Sequence, residues 1–144
     1  MITVQTLLKN KHHQTVISVR PDSTVIEALE VMAEKNIGAV VVMEGDNLVG
    51  IFSERDYARK GIIKGRKAKD TLMSEVMTPN VYTVDYKMNI NDCMKIMSEK
   101  KFRHLPVLQE GKVMGVLSVG DIVEAIFKEQ LSHIAYLERY IAGS

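Results

Sequence analysis

The chain has 144 residues, 46% of them hydrophobic, enough for one good core or for two small ones fused along a shared face. Lys and Arg number 19 against 18 Asp and Glu, a formal charge of +1, which argues against a surface built for a polyanion; nucleic acid is not an expected partner. The single cysteine, Cys93, excludes a disulfide or thiolate-metal framework within one chain. Residues 1–14 hold no apolar run of signal-peptide length, and no window approaches the roughly 20 apolar residues of a membrane span. A cytoplasmic chain without membrane contact is expected.

Thr3 to Leu8 reads as a short lead-in helix. Val16 and Val19 then open a strand. Thr24 followed three residues later by Glu27 marks a helix start, and Val25, Ala28, Leu29 and Met32 fall on one face, predicting about three helical turns. Ala39 to Met43 is a continuous apolar run; the turn Gly45-Asp46-Asn47 separates it from Leu48 to Phe52, and the two runs read as a buried hairpin. A second helix is expected from Ser53 through Tyr57 and Ala58.

The pattern then recurs at a constant offset and without a gap. Gly50-Ile51-Phe52-Ser53-Glu54-Arg55-Asp56 returns as Gly115-Val116-Leu117-Ser118-Val119-Gly120-Asp121; Val16 pairs with Val81, Val19 with Val84, Met32 with Met97 and Val42 with Val107. Thr71 to Met77 supplies another lead-in helix, Asn89 and Asp92 take the cap positions, and Ile90, Cys93, Met94 and Met97 the buried face. His104 to Leu108 and Val113 to Leu117 form the second hairpin, and Ser118 starts a helix through Ile122, Val123, Ile126 and Phe127. Each unit is thus strand, helix, strand, strand, helix. The expected fold is α+β (mixed α/β), two units related by a pseudo-twofold axis, with residues 1–65 as the first, 66–127 as the second and 128–144 as a helical tail. In that tail Leu131, Ile134, Ala135, Leu137 and Ile141 are spaced to pack on the module or on a second chain.

Serine followed three residues later by aspartate at a helix start is, taken alone, a plain capping box. Found twice, each time behind an apolar strand and with a glycine three residues before the serine, it reads as a binding loop. Free N–H groups at a helix start attract phosphate, the serine hydroxyl can donate, and an ionised aspartate can accept from two neighbouring ribose hydroxyls. Aspartate repels phosphate, so sugar is expected on Asp56 or Asp121 and phosphate toward Ser53 or Ser118. Arg55 and Arg59, four apart, either meet a diphosphate or form a solvated face paired with Glu54 or Asp56. Lys60, Lys64, Arg66, Lys67 and Lys69 read as a solvated connector. His12, His13, His104 and His133 have no metal-ligand spacing, and no metal is expected.

These residues resemble the paired CBS domains, named after cystathionine beta-synthase. The resemblance covers almost the whole chain. It rests on the two Gly-x-x-Ser-x-x-Asp segments, the Val-x-x-Val strand openings, and Arg103-His104-Leu105-Pro106-Val107, which is similar to the family's second-strand entrance. It implies a regulatory module, without a reaction of its own, that binds an adenosine-containing ligand such as AMP, ADP, ATP, NAD or S-adenosylmethionine in two clefts between paired sheets. It also implies that two copies pair as a flat disc of four units. By the resemblance Asp56 and Asp121 hold ribose with Ser53 and Ser118 nearby, and Thr15, Val16 and Ile17, with Asn80, Val81 and Tyr82, wrap the adenine. Gly38 and Ala39 stand where the second repeat has Arg103 and His104, so the two clefts are expected to differ. The Asp121 cleft, with Arg103 and His104, is expected to favour a charged phosphate, and the Asp56 cleft, with Arg55 and Arg59, a polyphosphate. No catalytic segment accompanies the two units in this sequence, so the signal is expected to pass to a separate regulated protein.

Two other readings stay open. One is a ligand-free interaction scaffold whose Ser and Asp are only caps. The other is a small nucleotide hydrolase with Asp56 or Asp121 as general base and His104 as its partner. Against the hydrolase stands the lack of a glycine-rich phosphate loop ending in Gly-Lys-Ser/Thr and of paired carboxylates for magnesium.

Overall fold

The computed structural model describes residues 2–10 and 16–143. In chain order it contains α1 (Val4–Lys9), β1 (Ser18–Val19), α2 (Val25–Lys35), β2 (Ala39–Glu44), β3 (Asn47–Ser53), α3 (Glu54–Asp56) running into a π-helical stretch (Tyr57–Ile62), α4 (Met73–Val76), β4 (Val84–Asp85), α5 (Ile90–Lys100), β5 (His104–Gln109), β6 (Lys112–Ser118) and α6 (Val119–Ala142). The strands form two separate three-stranded sheets, ordered β1-β2-β3 and β4-β5-β6. In each sheet the first strand is parallel to the second and the second antiparallel to the third.

The duplication extends to the irregularities. The hairpin register slips between Val42 and Met43, and again between Val107 and Leu108, the pair that occupies the same place in the second repeat. Both bulges leave Val42 opposite Gly50 and Val107 opposite Gly115. Helix α2 starts on the predicted cap: Thr24 Oγ1 accepts from the Glu27 amide at 3.3 Å, and Glu27 Oε2 accepts from the Thr24 amide at 3.2 Å. It ends on Asn36 in the left-handed conformation, φ 54°, and α5 ends the same way on Lys101, φ 60°.

Strand β2 is buried along Ala39–Val42 because both its faces are covered. Val40 and Val42 join Val19, Val25, Ala28, Met32 and Phe52 in the first core. Ala39 and Val41 are buried outside that cluster, on the side where β2 runs beside β6 of the other sheet. The second core gathers Val84, Ile90, Cys93, Met97, Leu105, Val107, Leu117 and Ile122. Burying each of the larger of these side chains contributes about 1.5–3 kcal/mol.

The lead-in helices exchange places. Val4 and Leu7 of α1 sit in the core of the second unit, and Met73 and Val76 of α4 in the core of the first. Main-chain bonds follow the exchange in mirrored pairs. The Val4 amide donates to Met88 O (2.8 Å) as Met73 does to Ser23 O (2.8 Å), and Gln5 donates to Tyr86 O (3.0 Å) as Ser74 does to Pro21 O (3.0 Å). The glycines of the repeated motif are explained here. A Cβ on Gly50 would lie 2.5 Å from Met77 Sδ, and one on Gly115 would lie 3.2 Å from Leu8 Cδ2, so the incoming lead-in helix rests on bare backbone.

Two helices differ from expectation. The helix after Ser53 is α-helical only to Asp56 and then widens into the π form, with the Ile63 amide reaching Ala58 O at 3.2 Å. A glycine occupies position 61 where a Cβ would lie 2.9 Å from the Tyr57 ring. The helix after Ser118 and the amphipathic tail are one element: α6 runs unbroken across residues 127 and 128, with no proline in its 24 residues. Among the described residues no helix is long and apolar enough to cross a membrane.

Candidate functional site

The two units meet along a cleft of about 850 Å³. One wall comes from the first unit: Val16 and Ile17, just ahead of β1, and Ile37, Gly38 and Ala39 leading into β2. The opposite wall comes from the second unit: Val116 and Ser118 at the end of β6, then Asp121 and successive turns of α6. Exchanged helix α1 closes one end with Thr6, Lys9 and Asn10. A volume of this size lies in the range of small-molecule sites.

At the start of α6 the Ser118 Oγ accepts from the Asp121 amide (3.0 Å) and Asp121 Oδ2 accepts from the Ser118 amide (3.0 Å). The capping box is therefore real, and it fixes the Asp121 carboxyl at the wall of the cleft. Among the described residues the Ser118 hydroxyl donates to no partner, so its proton is available to an acceptor in the cleft. His104, opposite Ser118 across the β5–β6 ladder, turns its ring to the first unit; its Nε2 lies 3.5 Å from where a Gly38 Cβ would stand. A Cβ at position 38 would meet that ring in ordinary van der Waals contact.

In the matching corner of the first unit Ser53 and Asp56 form the same reciprocal cap. Asp56 Oδ2 accepts from the Ser53 amide (2.9 Å) and from Ser53 Oγ (3.1 Å). Its Oδ1 accepts from Thr78 Oγ1 (3.3 Å) and lies 3.6 Å from Lys60 Nζ, which also donates to Thr78 Oγ1 at 3.1 Å. Both carboxylate oxygens and the Ser53 proton are thus engaged within the chain. The Asp56 side chain is 18% exposed and that of Lys60 39%.

Of the residues singled out from sequence, the cleft brings together Val16, Ile17, Gly38, Ala39, His104, Ser118 and Asp121. Thr15 lies outside the described residues. Arg103 is exposed and sits with Ser118, Val119 and Gly120 beside the α6 start, outside the cleft lining. Ser53 and Asp56 pair with each other, and Asn80, Val81 and Tyr82 precede β4 without joining this cleft. Asn80 is left-handed (φ 53°), and the Tyr82 ring lies 6.3 Å from that of Phe102 with Lys100 Nζ 5.0 Å from its centre. Arg55 and Arg59 are exposed and, among the described residues, enter no hydrogen bond or ion pair, so neither is paired with Glu54 or Asp56.

Sequence reasoning missed the length of the α6 wall, where Glu124, Ala125, Lys128, Glu129 and Ser132 continue the lining from Asp121. Helical spacing counted onward from Asp121 carries that signal. It also missed Thr78 as a partner of Asp56, for which sequence gives no local signal. Among the described residues no three His, Cys, Asp or Glu gather as a metal site.

Two pseudo-symmetric α+β units with exchanged lead-in helices and a cleft between their sheets define a paired-domain fold. The chain belongs to the CBS domain family, whose model matches residues 4–62 and 73–128. It is 36% identical over 127 residues to the mitochondrial CBS domain-containing protein CBSX3 of Arabidopsis thaliana, a match covering 85% of this chain and 62% of that relative's length. A solved CBS-domain protein from Burkholderia ambifaria MC40-6 superposes with a TM-score of 0.85 at 42% identity, covering 89% of this chain and 96% of its own. CBSX2, solved in complex with AMP, superposes with a TM-score of 0.73 at 27% identity, over 89% of this chain and 98% of its own.

Proposed function

We propose that the chain is a regulatory module that binds an adenosine-containing nucleotide in the Asp121 cleft and passes the event to a separate protein, with no reaction of its own. The observation that carries this is the arrangement across the cleft. A capped helix start, with a carboxylate and an available hydroxyl, faces an apolar slot of Val16, Ile17, Gly38 and Ala39 on the other unit. Ribose hydroxyls suit Asp121, a phosphate suits Ser118, and a flat base suits the slot beside the two small residues. The AMP held by the structural relative CBSX2 supports the same ligand class. Because the ligand touches both units, its binding energy can bias how they sit together, which is the means of signalling. Asp56, with Ser53, Arg55, Arg59, Asn80, Val81, Tyr82 and Arg103, belongs in this reading to a second cleft of different character.

The reading includes self-association. Val123, Phe127, Leu131, Ile134 and Leu137 leave a broad exposed apolar side on α6, and a second copy would cover it.

Thermal shifts with AMP, ADP, ATP and NAD test the reading, with wild type compared to Asp121→Asn and Asp56→Asn. Asparagine can still cap the helix, so the fold is kept while the ribose acceptor is weakened. At least one ligand is expected to raise the wild-type melting temperature, and Asp121→Asn to abolish the rise. Unchanged melting with every ligand would put the ligand-free scaffold ahead. Sedimentation of the same samples is expected to give the mass of two chains, and a single-chain mass would remove the self-association.

A further inference from the structure

The stretch from Glu54 to Asp70 concentrates the positive charge of the chain: it carries seven Lys and Arg against three Asp and Glu, while the remaining residues carry 12 against 15. Arg59, Lys64, Lys67 and Lys69 are exposed and, among the described residues, pair with no carboxylate. Ile62 and Ile63 stand between them, 57% and 76% exposed. The stretch is also held in place. Arg66 Nη1 donates to Glu75 O of α4 (2.8 Å), the Ile26 amide of α2 donates to Ala68 O (3.0 Å), and Lys67 O accepts from the Asp70 amide (3.0 Å) and from Thr71 Oγ1 (2.8 Å). A solvated connector, which the charges alone suggest, has no use for two adjacent isoleucines bared among cations.

We propose that residues 59–69 form a docking surface for an acidic segment of the regulated protein, which lays an apolar side chain on Ile62 and Ile63 and turns its carboxylates to the cations around them. Charge complementarity selects this occupant. A polynucleotide calls for aromatic side chains on which bases stack, and the one aromatic residue of the stretch, Tyr57, packs on the first core. A membrane surface calls for a long amphipathic helix, whereas the helical part of this stretch ends at Ile62 and turns follow. Lys60 belongs to the same stretch; its Nζ lies 3.6 Å from Asp56 Oδ1 and donates to Thr78 Oγ1 at 3.1 Å. The docking surface and the Asp56 corner therefore share one short segment, through which a change at either is felt at the other. This rests on the regulatory reading above for its purpose, but the contact itself is measured without nucleotide, so either can fail alone.

The test is fluorescence polarisation of a short labelled peptide, Glu and Asp around two central Leu, titrated with the full chain at low and at high salt. The comparison probes are the same peptide with Lys for each acid, the same peptide with Ser for each Leu, a short DNA duplex, and vesicles containing phosphatidylserine. The acidic peptide is expected to bind about tenfold more tightly than its Lys form, the difference shrinking in salt. Ile62→Ser with Ile63→Ser, and separately Lys64→Glu with Lys67→Glu, are each expected to weaken it by about tenfold. All four side chains are exposed, so both variants are expected to keep the wild-type melting temperature. The Ser form of the peptide is expected to bind wild type weakly and to be indifferent to the isoleucine changes. No binding of the acidic peptide to wild type, binding that both variants leave intact, or DNA or vesicles held more tightly through the same residues would overturn the inference. Nucleotides that leave the melting temperature unchanged while the peptide binds would remove the nucleotide reading and leave this surface standing.

Discussion

Ser118 and Asp121 have two duties at one place. As a reciprocal cap they complete the orphaned amides of the first turn of α6, and as wall residues they present a carboxyl and a hydroxyl to the cleft. The first copy of the pair is a cap too, and Asp56 gives its second oxygen to Thr78 and Lys60. Which partners the aspartate takes beyond the cap is not displayed by the Ser-x-x-Asp spacing. Cys93 shows the opposite case of a residue whose role was readable: it replaces Ala28 of the first unit and is fully buried in the second core. Burial, and then the nearby Asp92 charge, push its thiol up to about 11. A folded-state value above the unfolded one means that Cys93 contributes stability fully below pH 9.0, and that this is lost as pH rises toward about 11. Cys93→Ala, which restores the first unit's residue, is expected to decline less steeply than wild type in denaturant stability across that window. The native thiol is also expected to resist a disulfide reagent near pH 8 until the chain unfolds. Rapid labelling of the native protein would refute its burial.

At the level of elements, the strands and long helices were legible because their signals are local. Thr24 with Glu27 and Asn89 with Asp92 announce helix starts, and Ala39–Val42 announces a strand covered on both faces. The exchange of α1 and α4 was not legible. In packing, Val4 matches Met73 and Leu7 matches Val76, a longer displacement along the chain than the one relating Val42 to Val107 and the rest of the repeat. A search at one spacing aligns Val4 with Lys69 and loses the likeness. The π-helical stretch was hidden for another reason, since a shift of hydrogen-bond partner from i−4 to i−5 leaves no compositional mark beyond Gly61 beside Tyr57. The exchange makes a directional prediction. Leu7→Ala should cost about 2–5 kcal/mol. In hydrogen exchange, amides of α5 and β5 should lose protection ahead of those of α2 and β2, although Leu7 precedes the first unit in sequence. A loss confined to the first unit would contradict the exchanged packing.

For the molecule as a whole, duplication produces a near-symmetric scaffold and then breaks the symmetry where a ligand would sit. Gly38 and Ala39 face the Asp121 cleft, while their counterparts are Arg103 and His104. The candidate cleft was half legible from the chain alone. The motif pointed to Ser118 and Asp121, and the family resemblance to Val16 and Ile17. That α1 would close one end, and that α6 would run far enough to extend the wall to Ser132, follow from tertiary packing. The central claim is that an adenosine nucleotide binds between the units at Asp121, and a crystal structure of the chain grown with excess AMP tests it most directly. The account predicts density in the cleft, with the ribose hydroxyls on the Asp121 carboxylate and the base between Val16–Ile17 and Gly38–Ala39. AMP found only beside Asp56, or a cleft without AMP in crystals grown with it in excess, would contradict it.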